Sequence, residues 1–145
     1  MAVNLQKGQK ISLEKEAGGA LSRVTMGLGW DVAKSGGFFG FGAKSQAVDL
    51  DASVVLFDEA NRPVDVVWFR QLKSRDGSIN HSGDNRTGAG DGDDEQISVA
   101  LSSVPADVKS IVFTVNSFTG QNFSQVENAY CRLINAADGK EVARF

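Results

Sequence analysis

Ala47-Val48-Asp49-Leu50-Asp51-Ala52-Ser53-Val54-Val55-Leu56-Phe57 decides the fold class. Its even positions, Val48, Leu50, Ala52, Val54 and Leu56, are all apolar, and its odd positions begin Ala47, Asp49, Asp51 and Ser53. A period of two marks a half-buried β-strand, because successive side chains on a strand point to opposite faces. Asp49 and Asp51 therefore share the face turned away from the core.

The same period recurs on both sides of this stretch. Ile11 and Leu13 alternate with Lys10 and Ser12, and Val24, Met26 and Leu28 with Arg23, Thr25 and Gly27. Val64, Val66 and Trp68 read as one face of a short run. So do Ile97, Val99 and Leu101, then Ile111, Phe113 and Val115, then Cys131 and Leu133. Turn signals separate the runs: Gly18-Gly19, Glu59 to Pro63, Asp76-Gly77-Ser78 and Asp138-Gly139. Many short strands with such punctuation predict an all-β sandwich or barrel. Helix is expected only as short turns, one of them near Ser124 to Asn128, where Ser124 and Glu127 have capping-box spacing.

The chain has 145 residues, a length that suits a single domain over 1–145. Fifteen Lys and Arg against 18 Asp and Glu give a net charge of −3, which argues against a nucleic-acid binder and a polybasic membrane anchor. No apolar run approaches the roughly 18 residues of a membrane helix, so direct membrane insertion is not expected. Cys131 is the single cysteine and His81 the single histidine. Disulfide scaffolds and Cys- or His-rich zinc sites are thereby excluded, and a cytoplasmic location is the simplest expectation.

The charges are unevenly placed. Asp84, Asp91, Asp93, Asp94 and Glu95 lie within twelve residues that hold one base, Arg86. That window carries −4, and the remaining 133 residues carry +1. Gly88, Gly90 and Gly92 are interspersed, and glycine lets a chain curl and aim its carbonyl oxygens inward. Carboxylates and carbonyls are the ligands of a hard divalent cation, and Ca²⁺ takes about 6–8 such oxygens. The loop could fill one calcium site, and with Asp49 and Asp51 it could fill two. An EF-hand is rejected, because Arg86 and Gly88 stand at ligand positions and no helices flank the loop.

Other candidates carry less. Gly37 to Ser45 resembles a phosphate loop, but Ala43 separates Gly42 from Lys44, which breaks the Walker pattern. Phe38, Phe39 and Phe41 in that stretch suit packing or a partner-binding patch. His81 reads as a turn or strand-end residue without a catalytic partner, Cys131 as a small core hydrophobe, and Trp30 and Trp68 as core or rim aromatics.

A run of motifs resembles the TerD family of tellurium-resistance and stress proteins. They are Leu5-Gln6-Lys7-Gly8, Ile11-Ser12-Leu13, Gly27-Leu28-Gly29-Trp30-Asp31, Asp49-Leu50-Asp51-Ala52-Ser53, Leu72-Lys73-Ser74 and Asp76-Gly77-Ser78. They continue as His81-Ser82-Gly83-Asp84-Asn85, Gly90-Asp91-Gly92-Asp93-Asp94-Glu95, Val104-Pro105-Ala106 and Glu127-Asn128-Ala129-Tyr130. The Val67 to Ser74 segment and the Phe-Gly insert look closer to the TerZ-like branch.

The resemblance implies an antiparallel β-sandwich that binds one or two Ca²⁺ and has no enzymatic activity. It implies a role in tellurite resistance and stress, in the cytoplasm, alongside other Ter proteins including a membrane-embedded TerC-like partner. Asp84, Asn85, Asp91, Asp93, Asp94 and Glu95 become expected calcium positions, followed by Asp49 and Asp51, then Asp31. Ala89 stands where many members carry Glu, one carboxylate fewer. The family domain normally continues past a segment like Val142 to Phe145, so a domain lacking the usual C-terminal strands, with an open edge, is expected. The alternative is a protein-interaction module in a Ter complex whose calcium is purely structural.

Overall fold

The computed structural model describes residues 2–31, 48–84, 92–118, 120 and 126–145. In chain order its elements are β1 (Val3–Asn4), α1 (Leu13–Ala17), β2 (Arg23–Asp31), β3 (Leu50–Asp58) and β4 (Pro63–Val67). Then come β5 (Ile79–His81), β6 (Glu95–Ala100), β7 (Val108–Ser117), β8 (Glu127–Asn135) and β9 (Lys140–Arg144), with a 3-10 turn at Leu101–Ser103. Six strands form one sheet in the order β1-β9-β8-β2-β6-β5, and three form the other in the order β4-β3-β7. Every pairing is antiparallel except that of β1 with β9, where Val3 faces Ala143 and Asn4 faces Arg144 in parallel. The last strand thus lies between β8 and β1.

The core sits between the sheets. Val24, Met26, Leu28 and Trp30 of β2 meet Leu50, Ala52, Val54 and Leu56 of β3, joined by Val67, Ile79, Ile97 and Val99. The alternation that predicted β3 is therefore its core face: Val48, Leu50, Ala52, Val54 and Leu56 are all at most 1% exposed. Cys131 and Leu133 of β8 pack against the same cluster, and burial pushes the Cys131 thiol pKa up, as suits a small hydrophobe.

Three local readings are corrected. The Ile11–Leu13 alternation is not a strand, because α1 begins at Leu13. Ser12 caps it by accepting the Lys15 N–H at 3.4 Å, and Gly18 closes it in the left-handed conformation that glycine adopts freely. Capping chemistry at both ends outweighs three residues of period two.

In β4 the fully buried residue is Val67, while Val66 is 37% exposed. Val54 faces Val67 across the ladder, and a register shift between Leu56 and Phe57 brings Val64 back onto the core despite its opposite parity. The expected helical turn over Ser124 to Asn128 is also corrected at its end, where Glu127 and Asn128 belong to β8; residues 124 and 125 and the Phe38–Phe41 stretch lie outside the described residues.

Candidate metal centre

β4 pairs with β3 only from Val54 onward, so among the described residues the N–H and C=O of Ala52 have no strand beside them on that side. Two side chains from the other sheet take the place of a strand. The Ala52 N–H donates to Glu95 Oε2 at 2.8 Å, and the Ala52 carbonyl lies 3.1 Å from His81 Nε2. His81 Nε2 is also 3.4 Å from Glu95 Oε2. Both side chains are enclosed, at 0% and 1% exposed. The Gly83 N–H donates to His81 Nδ1 at 2.9 Å, which places the ring proton of the neutral imidazole on Nε2. His81 thus donates toward Ala52 and Glu95 while it accepts from Gly83.

This staple sits beside an acidic cluster. Asp49 and Asp51 flank Leu50 on the outward face of β3, as their spacing predicted, yet they are only 5% and 6% exposed. Asp84 arrives from the chain beyond β5, next to Gly83 at φ +116°, a backbone conformation that favours glycine. One carboxylate oxygen from each of Asp49, Asp51 and Asp84 lies within 4.8 Å of the others. Oxygens that share one Ca²⁺ at roughly 2.4 Å can stand no more than about 4.8 Å apart. The geometry therefore fits the ion, and so does the donor set, which is oxygen throughout.

The crowding is visible in the titration of Asp51. Its pKa is pushed up to about 6, by burial first and then by the charges of Asp49, Glu95 and Asp84. The folded value lies above the ordinary 3.8, so the folded state holds a proton that the unfolded chain releases. This contribution to stability is complete below that ordinary value and is lost as pH rises through about 6. In chelator, the urea midpoint of the wild type should fall more steeply with pH across this window than that of Asp51→Asn. Parallel profiles would refute the assignment.

The contiguous acids Asp93, Asp94 and Glu95 go to three different places. Glu95 enters the space between the sheets. Asp94 accepts the Trp30 N–H at 2.9 Å. Its pKa is raised by burial and, after the lowering effect of that bond, by the charges of Asp31, Asp93 and Glu95. Asp31 itself accepts from Asn128 Nδ2 at 2.6 Å, at the rim of a polar hollow of about 470 Å³ that Trp30, Tyr130 and Arg144 also line.

Asp93 lies on the outer face of the six-stranded sheet. Gln96, Gly27 and Arg132 stand directly across from one another on β6, β2 and β8. Because the middle residue has no side chain, the Asp93 carboxylate occupies its place. A Cβ on Gly27 would collide with that carboxylate, and one on Gly29 would collide with the Tyr130 ring. Asp93 there accepts two bonds from Arg132, at 2.9 and 3.0 Å, one from Tyr130 Oη at 2.9 Å and one from Gln96 Nε2 at 2.9 Å. Burial alone would raise its pKa, but these donors outweigh burial and hold it below the usual carboxylate range. The Tyr130 hydroxyl pKa is pushed up to about 12, by burial and then by Asp93.

Of the nine residues expected to hold calcium, the structure thus gathers Asp49, Asp51 and Asp84, with Glu95 close behind. Asp31 and Asp94 sit near each other at another place, and Asp93 is engaged by Arg132, Tyr130 and Gln96. Asn85 and Asp91 lie outside the described residues. Sequence reading missed His81, Gly27, Gly29, Gln96, Tyr130 and Arg132 as parts of this region; apart from Gln96, which reaches Asp93 three residues away, each makes a contact with a residue distant in sequence.

A model of the TerD domain matches residues 1–145. The chain belongs to the TerD family. It is 52% identical to tellurium resistance protein TerZ of Serratia marcescens over 99% of this chain and 74% of that protein. It is 43% identical to general stress protein 16U of Bacillus subtilis (strain 168), over all of this chain and 75% of the relative. A crystal structure of a homologue of telluride resistance protein (TerD) from Streptomyces coelicolor A3(2) superposes with a TM-score of 0.70. It is 24% identical and covers 87% of this chain and 72% of its own, which shows the TerD fold. These relatives are named as resistance or stress proteins. No described helix of this TerD domain is long and apolar enough to cross a membrane.

Proposed function

We propose that this TerD-family protein is a non-enzymatic, cytoplasmic calcium-binding component of the tellurium-resistance and stress response, acting alongside other Ter proteins. The observation that carries the calcium reading is the meeting of Asp49, Asp51 and Asp84, oxygens from two chain segments within 4.8 Å of one another. Two of the three are almost fully buried, where like charges are costly unless a cation compensates them. Asp49, Asp51 and Asp84 are the residues that would hold the ion, and a bound Ca²⁺ would supply positive charge and lock the loop root to β3. The names of the relatives supply the biological setting, which the reading carries over to this chain.

Calorimetric titration tests it. Ca²⁺ should bind the metal-free protein, with Mg²⁺ a weak competitor. At Ca²⁺ about 100-fold above its Kd the folded state should gain roughly 2.7 kcal/mol. No heat and no thermal shift at millimolar Ca²⁺, with the far-ultraviolet spectrum of an intact β-fold, would sink the reading.

A further inference from the structure

We infer that His81 is a positioning residue for the cation site: it braces β3, the start of β6 and the root of the acidic loop in the arrangement the ion needs. The inference rests on the calcium reading and assigns a role to a side chain that would not touch the ion. Three contacts carry it. His81 Nδ1 accepts the Gly83 N–H at 2.9 Å, one residue before Asp84. His81 Nε2 lies 3.1 Å from the Ala52 carbonyl, one residue after Asp51. The same nitrogen lies 3.4 Å from Glu95 Oε2, which itself receives the Ala52 N–H at 2.8 Å.

One imidazole therefore touches the chain next to two of the three acids and the carboxylate that backs them. Among the described residues no backbone ladder joins the segments that carry these two acids. β3 lies in the three-stranded sheet, and Asp84 follows β5 of the six-stranded one. The Asp51 and Asp84 carboxylates repel each other in the metal-free state, so the segments that carry them need a brace that does not depend on the ion. A neutral imidazole with one donor and one acceptor supplies it without adding a charge. Outer-shell groups of this kind typically change metal affinity about 10- to 100-fold when removed.

The two ring nitrogens can be tested separately. His81→Phe keeps the ring and removes both polar contacts. His81→Asn keeps an acceptor near the Nδ1 position, and His81→Gln keeps a donor near the Nε2 position. Calorimetry with Ca²⁺ should show roughly 10- to 100-fold weaker binding for His81→Phe and intermediate losses for the other two. Amide exchange in the metal-free protein gives an independent readout. Gly83 should lose protection in His81→Gln and keep it in His81→Asn, and the carbonyl ¹³C shift of Ala52, whose C=O faces Nε2, should move in His81→Asn and stay in His81→Gln. A merely structural histidine would lower stability in all three variants and leave their Ca²⁺ affinity unchanged.

If His81→Phe does not fold, the Asn and Gln variants decide the matter alone. Wild-type affinity in the variants, or no split between the Gly83 and Ala52 readouts, overturns the inference while leaving the calcium reading in place. A wild type that ignores Ca²⁺ overturns both.

Discussion

Gly27→Ala is expected to destabilise the protein by about 3–5 kcal/mol, the scale of breaking a buried ion pair. A methyl group at this site of β2 would occupy the seat of the Asp93 carboxylate. To accommodate it, Asp93 must leave four hydrogen bonds from Arg132, Tyr130 and Gln96, and its side chain is only 1% exposed. Urea unfolding would measure the loss. Gly19→Ala is the control: a Cβ there meets nothing within 4 Å, so a change within about 0.5 kcal/mol is expected.

The same mechanism makes a non-additive prediction. In a protein already carrying Asp93→Ala, the further change Gly27→Ala should cost little, because the obstruction is gone. Full additivity of the two effects would show that Gly27 matters for some other reason. The pH behaviour follows too. Asp93 titrates below the usual carboxylate range when folded, so its stabilisation is present above the ordinary value of 3.8 and is lost as pH falls through the lowered one.

Asp51→Asn should act in opposite directions on the metal-free and metal-bound protein. Without calcium, removal of one charge relieves the cost of its burial and then its repulsion with Asp49, Glu95 and Asp84, and stability near neutral pH should rise by roughly 1–3 kcal/mol, at ~1.4 kcal/mol per pKa unit. With calcium, one of three gathered carboxylates is gone, and affinity should fall at least ~100-fold, beyond the loss typical of an outer-shell change. The thermal shift on adding Ca²⁺ should shrink accordingly. A strain relying on the Asp51→Asn variant should also lose tellurite tolerance. Unchanged affinity would remove Asp51 from the site, and full tolerance with abolished binding would separate calcium from resistance.

Period-two alternation was enough to place most strands and the core face of β3, because burial of one face is written directly into residue order. The same signal misled at Ile11–Leu13, where three residues of alternation competed with an N-cap and a left-handed glycine. It also failed to mark β1, β5 and β9, which are two, three and five residues long. Runs that short contain too few positions for a period, and pairing with longer neighbours defines them.

The sequence by itself determined that the protein is an all-β domain with carboxylates crowded into one glycine-rich loop and two more on the outward face of β3. It could not determine which acids meet, because a carboxylate's role depends on what lies across from it. Asp93, Asp94 and Glu95 are neighbours in the chain, yet only Glu95 belongs to β6; Asp93 and Asp94 lie in the bend before it, where side chains keep no strand alternation. Asp93 falls into the gap left by Gly27, Asp94 meets the Trp30 backbone, and Glu95 reaches Ala52 between the sheets. Asp84 instead joins Asp49 and Asp51, more than thirty residues away in the chain. That juxtaposition is tertiary, set by the docking of one sheet on the other and held where β4 stops short and His81 and Glu95 stand in for a strand.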